Sequence, residues 1–187
     1  MGRLVEATHV SLGGEVGAID WAFPYLDDQH KEYSWDLLRA AEALLLGRKT
    51  YEGLSSAYPA MEEHAKGVFG EFVRRMNAIP KYVVTTTLTE FGWNAQRLEL
   101  PSNGDVAEAV RRLKSDLPGG LLKFGTGPLD ALLLQQRLVD EYHFWLAPVA
   151  APATVQPLFE SMEDAPSLTL AGVDRFASGI VALRYTP

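Results

Sequence analysis

Three stretches of this sequence bring anion-holding groups to points where a strand gives way to a helix. In Leu44-Leu45-Leu46-Gly47-Arg48-Lys49-Thr50-Tyr51-Glu52, an apolar run ends at a glycine and two cations with a hydroxyl follow. Cations in the first turn of a helix oppose its dipole. An anion held by the free N–H groups of that turn would explain them; side chains simply turned to solvent are the plainer alternative. In Val83-Val84-Thr85-Thr86-Thr87-Leu88, three hydroxyls stand where they can bond phosphate or sugar oxygens. Threonine is also a favoured strand residue, so this run alone speaks for structure. The third stretch, Phe124-Gly125-Thr126-Gly127-Pro128-Leu129-Asp130, has two glycines that let a ligand approach the backbone closely, and a proline suited to the first helical turn. It is only part of a G-x-G-x-x-G fingerprint, because Asp130 replaces the third glycine. Its late position argues against a Rossmann domain. A tight turn without a ligand explains it equally well. Taken together, the three ends suit one extended, phosphate-bearing cofactor. No Walker A loop is present, which argues against a P-loop triphosphatase.

A reaction on a small substrate beside such a cofactor would ask little more of the protein than contact, exclusion of water and a proton donor. The candidate acids are Asp20, Glu32 and Asp36. Glu32 and Asp36 are four apart and share a helix face, where a solvated acidic surface is the plainer reading. Asp20, beside Trp21, falls in the loop after the first strand, where a pocket wall belongs. His30 could donate a proton, but exposed polar surface is the plainer reading. His9, His30, His64 and His143 never fall in H-x-H or H-E-x-x-H spacing, so no metal site is expected. Ser55, in Gly53-Leu54-Ser55-Ser56-Ala57, lies inside a helical stretch and is no nucleophile elbow.

Positioning these groups takes alternating elements. Residues 3–12 read as a strand, and Gly13-Gly14 and Gly17 open a loop that runs through Pro24. Helical spacing covers 30–41, and 43–46 suits a buried parallel strand. Helices follow over 48–57 and 62–79, with Pro80 as a boundary. Residues 81–87 are β-rich. Asp105 is placed to cap a helix over 106–117. A strand over 121–124 and a helix over 128–136 come next. Residues 141–149 form a long apolar strand, buried on both faces or an edge strand in a subunit interface. Residues 167–176 and 180–185 form a terminal hairpin turned at Ala177-Ser178-Gly179. Alternation of this kind implies an α/β fold with a mostly parallel sheet and a C-terminal antiparallel hairpin, whose ligands collect at the strands' carboxyl ends.

Composition sets the bounds. The chain has 187 residues, 47% hydrophobic and 22% charged, which fits one globular domain over 1–187. The net charge is −7, with no dense Lys/Arg run and no interleaving of aromatic and basic residues, so nucleic acid is not an expected partner. There is no cysteine, which removes disulfides and thiolate chemistry. Neither a signal core nor a run of ~20 apolar residues is seen, so a cytoplasmic protein without a membrane partner is the expectation.

In its motifs the chain resembles the dihydrofolate reductase-like superfamily. It is most similar to the C-terminal reductase domain of the bacterial bifunctional riboflavin-biosynthesis deaminase-reductase. Ser11-Leu12, Asp20-Trp21, LLLGRKTYE at 44–52, PKYVVTTTL at 80–88, FGTGPLDALL at 124–133, LVDEYHF at 138–144, Pro148-Val149, Pro157-Leu158-Phe159 and SGIVALRY at 178–185 carry the resemblance. It implies a three-layer fold and a stand-alone 5-amino-6-(5-phosphoribosylamino)uracil reductase-like enzyme. Such an enzyme uses NADPH to transfer a hydride to a small heterocyclic or carbonyl/imine substrate. Gly47, Arg48, Lys49 and Thr50 would meet the cofactor phosphates. Thr85, Thr86 and Thr87 would flank the adenosine end. Gly125, Thr126, Gly127 and Leu129 would cradle the pyrophosphate, and Asp20 and Glu32 are the candidate catalytic acids. Relatives are commonly homodimers.

Three departures from the relatives stand out. Gly13 replaces the Asp of Ser-Leu-Asp-Gly, residues 150–156 lack a Gly-x-Gly loop, and Thr86 stands where Arg is frequent. The first two lie on the substrate side and admit an alternative, a non-catalytic nucleotide-binding or dimerisation module with the same fold.

Overall fold

The computed structural model describes residues 2–17, 19–151, 156–159 and 166–187. Its strands are β1 (Leu4–Val10), β2 (Glu15–Val16), β3 (Ala43–Gly47), β4 (Lys81–Val84), β5 (Ala95–Arg97), β6 (Leu121–Phe124), β7 (Glu141–Leu146), β8 (Gln156–Pro157), β9 (Thr169–Arg175) and β10 (Val181–Thr186). Its helices are α1 (Asp28–Ala40), α2 (Arg48–Met61), α3 (Gly67–Ala78), α4 (Val106–Asp116) and α5 (Pro128–Gln135), with a 3-10 turn over Asp20–Tyr25. The fold class is α/β, mostly parallel, with an antiparallel β9–β10 hairpin at the end. Contacts cluster into two compact units: Met1–Arg3 with Lys31–Phe124, and Leu4–His30 with Gly125–Pro187.

The first unit is built around β3. Leu44, Leu45 and Leu46 are fully buried, which an uninterrupted apolar strand requires, and β3 lies between β4 and β6 in the parallel order β5-β4-β3-β6. Asp105 caps α4 by accepting the N–H of Glu108 at 3.0 Å, and Ala107, Val110 and Leu113 are buried.

Three local differences from the sequence expectation have physical causes. Helix α3 starts at Gly67, whose φ of +59° is left-handed and breaks any continuous helix from 62. Strand β4 stops at Val84 because the Thr85 hydroxyl accepts the N–H groups of Thr87 and Leu88, both at 3.2 Å. This side-chain turn competes with the strand ladder. The short, exposed β5 has no alternation to reveal it. It is entered through the left-handed pair Trp93 and Asn94 (φ 55° and 52°). That strained pair is pinned by Trp93 Nε1 donating to Asn77 Oδ1 (2.7 Å), Asn94 Nδ2 donating to the Ala78 carbonyl (2.6 Å) and the Lys81 ammonium 4.1 Å above the Trp93 ring.

In the second unit the order is β1-β7-β10-β9, with β1 and β7 parallel and the other pairings antiparallel. Strand β7 is therefore interior. Tyr142, His143, Phe144 and Trp145 are all buried because neighbours flank the strand on both sides, so burial, and not an interface edge, explains its apolar character. The edge of this sheet is β9, on which Leu170 and Val173 are about half exposed. The loop expected over 13–24 contains β2, paired with β8, and the 3-10 turn. At the hairpin turn, Gly179 takes φ +96° and donates to the Phe176 carbonyl at 3.1 Å.

Candidate functional site

In the first unit the carboxyl ends of β3 and β4 meet the start of α2. Gly47 is the N-cap; no side chain caps the helix and no acid lies in its first turn. The N-terminal N–H groups and dipole of α2 are thus left to another partner. A Cβ at Gly47 would have no neighbour within 4 Å, so the approach is open. Arg48 is exposed. Its Nη1 donates to the Thr87 hydroxyl at 2.7 Å and its Nε to Glu52 at 2.8 Å. Two of the sequence-derived stretches are brought together by that contact across 39 residues. Lys49 and Thr86 are exposed, and Thr50 and Thr85 are half-buried.

A cleft of about 280 Å³ lies at the other end of β4, lined by Lys81, Phe91, Trp93 and Gln96 among others. It shares no lining residue with Arg48 or the threonines. Burial, with Arg75 nearby, pushes the Lys81 ammonium down to about 8, and the group donates to the Ile79 carbonyl at 2.7 Å. These contacts hold backbone, and no functional role is assigned to the cleft.

In the second unit, Gly125 is left-handed (φ +71°) and donates to the Ala7 carbonyl at 3.3 Å. The Gly127 N–H, expected to face a ligand, is taken by the buried Asp130 carboxylate at 2.6 Å. Asp130 thus serves the start of α5, the role its position near a helix N-terminus favours. Two features still suit a ligand: the Thr126 hydroxyl is buried with no hydrogen-bond partner, and a Cβ at Gly127 would meet nothing within 4 Å. Leu129 is half-buried beside them.

The end of β1 explains one departure from the relatives. The fully buried Ser11 accepts the N–H groups of Gly13 and Glu15 at 3.2 Å and donates its hydroxyl to Glu15. A Cβ at position 13 would overlap the Glu15 carboxylate. A side chain at position 13 and the Glu15 carboxylate therefore compete for one space.

Of the candidate acids, Asp20 opens the 3-10 turn of the second unit and is exposed; Glu32 is exposed on the part of α1 in the first unit. Asp36 pairs with Arg39 at 2.8 Å, a surface contact of little energetic weight. His30 is a correction: it is buried, its Nε2 2.9 Å from Nε2 of His9. No spacing rule finds a pair 21 residues apart that only the tertiary fold assembles. Among the described residues no group of three or more His, Asp or Glu could hold a metal ion, and no helix is long and apolar enough to cross a membrane.

The parallel strand ends, the uncapped helix and the antiparallel hairpin define a dihydrofolate reductase-like α/β protein. Solved structures share this fold. A Shewanella sp. PV-4 protein assigned to riboflavin biosynthesis matches at 17% identity and TM-score 0.71, with 98% of each chain covered. A Schistosoma mansoni dihydrofolate reductase matches at 14% and 0.56, covering 99% of this chain and 98% of that one. The Thermotoga maritima diaminohydroxyphosphoribosylaminopyrimidine deaminase/5-amino-6-(5-phosphoribosylamino)uracil reductase matches at 14% and 0.67, all of this chain spanning 56% of that one. No curated protein matches in sequence. Residues 7–182 match the family described as RibD C-terminal domain, and the chain belongs to that family.

Proposed function

We propose that this protein is an NADPH-dependent oxidoreductase that transfers a hydride to a small heterocyclic or carbonyl/imine substrate, in the manner of the pyrimidine reductases of its family. The observation that carries the reading is the exposed Arg48 guanidinium, held on the Thr87 hydroxyl beside the uncapped N-terminus of α2. A dianionic phosphate suits that combination of cation, hydroxyl and free N–H groups. In the second unit, the orphaned Thr126 hydroxyl and the open space at Gly127 by themselves suit a phosphate-bearing ligand.

When bound, the cofactor supplies the hydride of its dihydronicotinamide ring. The chain's own part is to bind and orient. Arg48, Lys49 and Thr50, with the Gly47 turn, hold phosphate. Thr85, Thr86 and Thr87 line the adenosine end, with no guanidinium at 86 to strengthen a 2′-phosphate contact. Gly125, Thr126, Gly127 and Leu129 receive the pyrophosphate side. Asp20 and Glu32 remain the candidate proton donors. A cytoplasmic homodimer is part of the same reading.

Calorimetry with NADPH and NADH on the wild type and Arg48→Ala tests it. Binding of NADPH that weakens at least about tenfold in the variant is expected, since a charged hydrogen bond contributes ~1.5–3 kcal/mol. Absence of binding up to millimolar dinucleotide would overturn the cofactor assignment. With binding in hand, NADPH consumption is assayed against the pyrimidine substrate class named for the Thermotoga maritima relative.

A further inference from the structure

The second unit holds a cluster that the reductase reading does not use. His9, next to last in β1, and His30, in the first turn of α1, face each other Nε2 to Nε2 at 2.9 Å. Both are buried. Trp145, next to last in β7, packs on both rings, with centroids 4.8 and 4.7 Å away, and Phe176 lies 6.2 Å from His30. The surrounding hydrogen bonds form a clasp. Asp27 accepts the His30 N–H at 2.9 Å on one carboxylate oxygen and the Ser178 N–H at 2.9 Å on the other. Gln29 Oε1 accepts the Ala177 N–H at 2.7 Å. The start of α1 is thereby tied to the turn between β9 and β10, with the imidazole pair packed alongside.

A nitrogen–nitrogen contact of this length holds one proton between the two atoms, one ring donating and the other accepting. The pair can carry one positive charge with that bond intact; protonating the second ring as well sets two N–H groups and two positive charges face to face. One carboxylate faces the pair directly. Asp27 faces His30 from the lead-in to α1, and Asp28 next to it is exposed. On the face of β7 that carries Trp145, His143 is already paired with Glu141 at 2.8 Å. Arg184 of β10, the register partner of His143, is 3.5 Å from Asp174 of β9. On β1, the residues sharing the face of His9 are Val5 and Ala7, which carry no charge.

We propose that the His9–His30 pair is an acid-operated latch. It keeps the first turn of α1 on the β9–β10 turn while the imidazoles share one proton, and releases it when both are protonated. The latch sits at the carboxyl ends of the parallel strands β1 and β7, the end where ligands of α/β folds collect. Acid therefore loosens that end of the unit without unfolding its sheet. Burial and the neighbouring His30 push His9 down to about 3, so the closed latch refuses the second proton across the mildly acidic range.

Amide hydrogen exchange, corrected for the intrinsic pH dependence, tests this at Ala177 and Ser178. An open state that titrates near 6.5 and a closed one near 3 give a fall in protection of about 30-fold between pH 7.5 and 5.0. Amides of Phe144 and Leu183, in the strands of the same unit, should hold their protection. In His9→Gln, whose carboxamide pairs with His30 but takes no proton, the fall should be under about threefold. Unchanged protection in the wild type, an equal fall in the variant, or a parallel fall at Phe144 and Leu183 would each overturn the latch. If His9→Gln does not fold, imidazole nitrogen NMR on the wild type decides. One ring neutral down to pH 5 supports the latch, and two independent titrations near 6.5 refute it.

Discussion

At the scale of single residues, burial of titratable groups has a direct thermodynamic consequence. Unfolded, the His9 imidazole titrates near 6.5; folded, burial and then His30 bring it down to about 3. Between those values the unfolded chain takes up a proton that the folded chain refuses. Stability present above pH 6.5 is therefore lost as pH falls toward 3, at about 1.4 kcal/mol per pH unit from this group. Denaturant unfolding at pH 7.0 and 5.5 should show the wild type losing ~1 kcal/mol more than His9→Gln; equal losses would mean that His9 titrates normally in the fold. A second residue-scale prediction concerns Gly13. Restoring the relatives' carboxylate with Gly13→Asp makes the Glu15 carboxylate swing aside and give up the Ser11 hydroxyl, beside a like charge, and should cost about 1.5 kcal/mol. In the background of Glu15→Ala the same substitution should cost less than 1 kcal/mol. Additive costs in the double variant, read from thermal and denaturant melts, would show that the two positions do not share one space.

The elements follow the same logic with larger groups of atoms. Strand β3 is held by burial on both faces, so Leu45→Ala should cost ~2–5 kcal/mol through lost transfer energy and the cavity left behind. Asp105→Ala removes the side-chain acceptor of the Glu108 N–H at the start of α4 and should cost ~1 kcal/mol, seen as a lower Tm. The first of these positions was legible in the sequence because a run of four apolar residues ending at glycine has few other uses. The second was legible because a cap followed by helical spacing is a local signal. Signals of that kind also marked β6, α5 and the terminal hairpin. What escaped was whatever depends on partners distant in sequence. Strands β2, β5 and β8 are only two or three residues long, too short to show a period. The end of β4 is decided by one Thr85 hydroxyl, and the candidate site divides in the same way. Arg48 and the threonine run were chosen for their chemistry, but their meeting through Thr87, the loss of the Gly127 N–H to Asp130 and the burial of His30 are tertiary facts.

For the whole molecule, the question is which surface a second copy would use. The apolar β7 suggested an interface to sequence reasoning because periodicity cannot tell a strand covered by neighbours from one covered by a partner. With β7 interior, the edge strand of the second unit is β9, as β5 is that of the first, and β9 is the longer of the two. Its exposed residues include Leu170 and Val173, and an antiparallel pairing of two such edges about a twofold axis satisfies the free backbone groups of both. Each copy carries a net charge of −7, so association works against like-charge repulsion that salt screens. Sedimentation of the wild type should therefore give a dimer that tightens as salt rises from 50 to 500 mM. Replacing both apolar side chains, Leu170→Lys with Val173→Lys, puts charge on the pairing edge and should leave a folded monomer, with the NADPH binding proposed at Arg48 unchanged. A monomeric wild type at tens of micromolar would remove the homodimer from the proposed function. A dimer that survives the double substitution would place its interface away from β9.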